Sequence, residues 1–92
     1  MKNDLILTLT STDDEVISKK ISKKLIKEKV CACINIIPKV ESYYFWKNKL
    51  QKSKEWIILI KSRKSSYKKI ESIIKKLHKI KKRSNSVGKL RL

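Results

Sequence analysis

The chain has 92 residues, of which 40% are hydrophobic and 36% charged, and its formal net charge is +17. That length supports one small domain with a modest core, and domains of this size often rely on partners. The apolar run at 56–60 is far too short to cross a bilayer, and a single glycine, Gly88, excludes a GxGxxG or P-loop phosphate cradle.

Residues 4–10, DLILTLT, predict a first strand. Ser11, Thr12 or Asp13 is expected to cap a helix, with Asp13, Asp14 and Glu15 at the positive end of its dipole. The helix is expected from Asp14 to Lys29. Val16, Ile17, Ile21, Leu25 and Ile26 follow three-to-four spacing, and Lys19, Lys20, Lys23, Lys24 and Lys27 fill the other face. Residues 30–37 predict a second strand. Pro38 has no N–H to give to a ladder, so the strand must bend, bulge or lie at an edge there. β-Favouring residues resume at 40–46. The KNK at 47–49 signals a tight turn, because Asn48 tolerates the left-handed conformation. Residues 55–62, EWIILIKS, are apolar at successive positions, which predicts a strand covered on both faces.

Tyr67, Ile70, Ile73, Ile74, Leu77 and Ile80 form the stripe of a second helix, with Ser65 or Ser66 as its cap. Beyond His78 the periodicity decays. Two parts are therefore expected: a folded domain over 1–78 and a basic, partly disordered tail over 79–92, with a short extended piece at 87–92. The order β-α-β-β-α predicts an α+β two-layer sandwich of the split β-α-β kind, with helices on one face of an antiparallel sheet. Strands one and three would be central. The final strand is expected to be weak or missing, leaving the edge at 5–9 for a partner chain or the tail to cover.

Charge is concentrated in the C-terminal third. Residues 61–92 carry ten Lys, three Arg and one Glu, a net +12. Such a segment attracts phosphates, which motivates a nucleic-acid-binding module as one reading. The competing reading is compositional: Lys outnumbers Arg 22 to 3, as AT-rich codon usage would produce, whereas a phosphate site favours the guanidinium fork. Tyr43, Tyr44, Phe45 and Trp46 alternate between strand faces. With Trp56 on a second strand they could form a stacking platform, or they could be subunit contacts. Cys31 and Cys33, two apart on the expected strand, would share one face. They are either ligands for a soft ion such as Cu(I) or small buried hydrophobes. No catalytic triad or carboxylate pair stands out, so no enzyme is expected. Two closely spaced cysteines and no signal peptide at the N-terminus point to a reduced, cytoplasmic setting.

One segment is more specific. Residues 32–62, ACINIIPKVESYYFWKNKLQKSKEWIILIKS, closely resemble the CutA family, the divalent-ion tolerance proteins. The family pattern A-C-x-N-I-x-P, S-x-Y-x-W, a G-K turn and E-x-x-L-x-I-K-[ST] is met by Cys33, Asn35, Ile36, Pro38, Ser42, Tyr44, Trp46, Lys49, Glu55, Ile60 and Lys61. The resemblance extends over about residues 4–78. It implies a ferredoxin-like fold, a homotrimer, and a non-enzymatic role in tolerance of copper or other divalent metals. It implies Cys33 and His78 as metal positions, and Pro38, Tyr44, Trp46 and Trp56 at the subunit interface. Cys31 stands where the family more often has Ala. Asn48 replaces the turn glycine. After His78 the family continues H-P-Y-E-V-P-E-I, whereas this chain reads KIKKRSNSVGKLRL, as a frameshift or truncation would give. Impaired metal function is the corresponding expectation.

Overall fold

The computed structural model describes residues 4–78 and 87–91. The elements are β1 (Leu5–Thr12), α1 (Glu15–Lys27), β2 (Cys33–Trp46), β3 (Lys49–Arg63), a 3-10 turn (Lys64–Ser66), α2 (Tyr67–His78) and β4 (Val87–Arg91). The four strands form one antiparallel sheet in the order β2-β3-β1-β4, with both helices on one face. This is the expected ferredoxin-like α+β sandwich, with β1 and β3 central.

The first helix begins later than expected. Ser11 and Thr12 are still paired in the sheet, opposite Ile57 and Trp56. Thr12 Oγ1 accepts from the Asp14 N–H at 3.2 Å. Asp14 is extended (φ −122°, ψ 113°), and its Oδ1 accepts from the N–H groups of Val16 (2.8 Å) and Ile17 (3.2 Å). The cap is therefore Asp14, because a residue still held in the ladder cannot also turn its side chain onto the helix end. The helix closes in a Schellman arrangement. Lys29 takes the left-handed conformation (φ 58°), its N–H donates to Ile26 O, and the Val30 N–H donates to Leu25 O. Val30 and Leu25 both enter the core.

Ile17, Ser18, Ile21 and Leu25 are the buried face of α1. Val16 and Ile26 fall outside it, with exposures of 59% and 48%. Ser18 takes the flank that a larger apolar residue was expected to fill, and its hydroxyl donates to Glu15 O at 2.7 Å. From α2 come Ile70 and Ile74, and from β3 Ile58 and Ile60. Ile34, Ile36, Ile73 and Leu77 pack around them. Burying each Ile or Leu side chain contributes about 1.5–3 kcal/mol, so this layer dominates the stability. On β1 the same face presents Ile6, Thr8, Thr10 and Thr12, all buried.

Ser65 and Ser66 lie inside the 3-10 turn that leads directly into α2. The N-cap of that turn is Arg63, with no side-chain hydrogen bond, and the Lys64 N–H donates to Asp4 O at 2.7 Å. The doubtful last strand is present. Val87–Arg91 pairs with β1, Ile6 opposite Arg91 through Thr10 opposite Val87, so the tail covers the edge that would otherwise be open. The remainder of the expected disordered tail, 79–86 and 92, lies outside the described residues.

β2 and β3 are long. At about 3.3 Å per residue, the 15 residues of β3 account for the 47 Å long axis of the molecule. The ladder runs from Cys33 opposite Lys61 to Ile37 opposite Ile57, then resumes at Val40 opposite Glu55. Pro38 and Lys39 form a bulge there, and Lys39 is left-handed (φ 56°). The proline had predicted a bend, and an inserted residue provides it.

Candidate functional site

The face of the sheet away from the helices follows from the register. Cys33, Asn35 and Ile37 of β2 pair with Lys61, Leu59 and Ile57 of β3, and these pair with Leu7, Leu9 and Ser11 of β1. The outcome is an apolar row, Leu7, Leu9, Leu59, Ile57 and Ile37, with no helix over it among the described residues. Single-residue alternation did not reveal this row, because β3 is apolar on both faces.

The bulge changes which side chains share that face. One extra residue inverts the parity of β2, so Val40, Ser42, Tyr44 and Trp46 lie on the open face, with Glu55, Ser53, Gln51 and Lys49 across from them. Glu55 accepts from the hydroxyls of Ser42 (3.0 Å) and Ser53 (3.4 Å), which fixes this part of the arm. Glu41, Tyr43 and Phe45 face the other way, beside Lys54, Lys52 and Leu50. There Glu41 accepts from the Tyr43 hydroxyl (3.3 Å) and lies 3.7 Å from Lys52 Nζ. Tyr43, Phe45 and Leu50 are 61%, 75% and 66% exposed.

The expected interface residues are thus divided between surfaces. Pro38 is exposed in the bulge. Tyr44, half-buried, and Trp46, exposed, are on the open face. Trp56 is half-buried on the helix side, opposite Thr12 and the bulge. Trp56 therefore does not extend one aromatic platform with Tyr44 and Trp46.

The two cysteines also separate. β2 starts at Cys33, and the preceding residues turn out of the left-handed Lys29 through a bend at Ala32. The shared-face expectation does not hold, because period-two alternation applies only within a strand. Cys31 packs against the core. Burial, and secondarily the neighbouring Cys33, push its thiol pKa up. Cys33 is half-buried on the open face, with a long contact of 3.7 Å to Asn35 Oδ1. Both thiols are free. His78 is the last residue of α2, on the helix layer, and its side chain lies outside the described residues. Among the described residues no three His, Cys, Asp or Glu side chains converge. One thiol does not complete a copper shell, so the described donors of a single chain do not by themselves fit a bound metal.

Comparison with known proteins agrees with this fold. The family model described as "CutA1 divalent ion tolerance protein" matches residues 6–84. The chain is 32% identical over 65 residues to the "Protein CutA homolog" of Xenopus laevis, covering 71% of this chain and 43% of that protein. It is 35% identical over 60 residues to "Protein CutA, chloroplastic" of Arabidopsis thaliana, covering 65% and 33%. The chain thus spans less than half the length of these two relatives. Among solved structures, CutA1 from the psychrotrophic bacterium Shewanella sp. SIB1 superposes with a TM-score of 0.90 at 27% identity, over 100% of this chain and 84% of the other.

Proposed function

The chain belongs to the CutA1 divalent ion tolerance family, and from that premise we propose that it is a non-enzymatic homotrimer that binds copper or another divalent metal, or signals its presence, in the cytoplasm. The observation that carries the assembly is the arm, which exposes apolar side chains on both its faces, beside the open face of the sheet. Tyr43, Phe45, Trp46 and Leu50 are exposed on a hairpin beyond the core, and among the described residues the apolar row beside it has no helix over it. Exposed apolar surface of this extent marks association sites. Assembly would also bring Cys33 donors from several chains into one particle, which supports metal binding where a single chain falls short. Among the described residues no helix is long and apolar enough to cross a membrane.

Light scattering at micromolar concentration should give a mass about three times the 10.9 kDa of the chain. A monomer there would sink the trimer. Competition against a Cu(I) chelator should show weaker binding for Cys33→Ser, and an unchanged affinity would remove the metal role of that residue.

A second reading, a basic nucleic-acid-binding module, draws on the net charge and on Tyr43 and Phe45 beside Lys52 and Lys54. Binding to a single-stranded oligonucleotide would have to fall steeply with added salt.

A further inference from the structure

A cleft of about 470 Å³ opens where the connection from α1 to β2 crosses the C-terminal end of β3. Its walls come from 29–32 on one side and 61–66 on the other, tied by the hydrogen bond from the Ala32 N–H to Lys61 O (2.8 Å). Its volume is in the range of small-molecule sites. Lys29, Lys61 and Arg63 line it, together with Ser62 and Ser66. Leu5, Val30 and Ala32 give it an apolar side. Among the described residues, Arg63 pairs with the Asp4 carboxylate, at 3.9 Å and on an exposed surface. Such a pair holds the guanidinium weakly and leaves it free to turn to another anion. The cleft therefore concentrates positive charge beside an apolar wall.

We propose that this cleft binds a small phosphorylated organic molecule, its phosphate held by Lys29, Lys61 and Arg63 and its organic part resting on Leu5, Val30 and Ala32. Arg63 supplies the fork that grips two phosphate oxygens, and the two ammonium groups add charge without demanding geometry. Cys33 does not line the cleft but pairs across the ladder with Lys61, so the metal reading is tested separately, through Cys33→Ser.

The probes are adenosine 5′-monophosphate, inorganic phosphate and adenosine, titrated into the full chain by calorimetry at constant ionic strength. The monophosphate should bind saturably, one per chain, and at least tenfold more tightly than either of the others. Lys61→Gln with Arg63→Gln should weaken it at least tenfold in protein whose circular dichroism is unchanged. Lys29→Asn, which suits the left-handed backbone there, should weaken it at least threefold. Lys75→Gln with Lys76→Gln, on the outer face of α2, should change it less than twofold. Equal losses in the two double variants would reduce the effect to diffuse charge and overturn the site. Absent binding, or adenosine or inorganic phosphate binding as tightly as the monophosphate, would also overturn it.

Discussion

Cys31 shows how far one side chain's environment can depart from its place in the sequence. In the chain it belongs to a C-x-C pair; in the fold it is a partly buried wall of the core. Its thiol is harder to ionise than an ordinary cysteine, mainly because burial penalises the thiolate. Since the folded value is raised, this group's contribution to stability is complete below the unfolded thiol pKa, about 8.5, and is lost as pH rises through the folded value. Tyr67 is shifted the same way, by burial and then by Glu71, so it reinforces alkaline sensitivity at higher pH. In a Cys33→Ser background, alkylation of Cys31 should rise with pH at a later midpoint in native protein than in urea. Coincident midpoints would contradict the burial. Asp14 is the other decisive residue: Asp14→Ala removes the acceptor for two N–H groups and should cost about 0.5–2 kcal/mol in urea denaturation. Its neighbourhood was legible in the run STDDE at 11–15, but the capping residue itself was not, because the extent of β1 is set by pairing with β3 across some 45 residues of sequence.

At the level of elements, period and turn chemistry read well. The α2 stripe as far as Leu77, the strand at 55–62 and the turn at 47–48 all appear where apolar spacing and Asn48 place them, while Ile80 lies outside the described residues. What local pattern could not give was the end of each strand or the parity of the arm. Those depend on one inserted residue and on which strand lies alongside. The turn itself is suboptimal. Lys47 (φ 53°) and Asn48 (φ 63°) are both left-handed, the geometry of a two-residue type I′ hairpin, which favours Asn-Gly. Lys47→Asn with Asn48→Gly should therefore stabilise the fold by about 1 kcal/mol, since a left-handed non-glycine residue costs roughly that much. An unchanged denaturation midpoint would show that the arm does not unfold together with the core.

For the whole molecule, β4 closes one side of the sheet. A chain lacking 87–92 should expose the backbone of β1 and scatter light increasingly with concentration, beyond any defined oligomer, while the full chain does not. The sequence shows here only a charged tail with a short extended piece, because five residues with little periodicity carry almost no strand signal; their pairing comes from a long-range partner. The family resemblance, in contrast, was legible from 32–62, where turn, proline and aromatic positions coincide. The candidate metal site was less so. It needs groups brought together by folding and assembly, and a single sequence gives neither distance nor stoichiometry.

The protruding arm has a consequence for amide exchange. Ile58 and Ile60 lie in a central strand under two helices, so their amides should be among the slowest to exchange, at the free energy of global unfolding. Among the described residues the arm at 42–46 has one hydrogen-bonded neighbour strand and no helix cover. In a lone chain it should open locally and exchange orders of magnitude faster. Protection of Tyr44 and Trp46 that grows with protein concentration would then report assembly directly, in the amides of the arm itself.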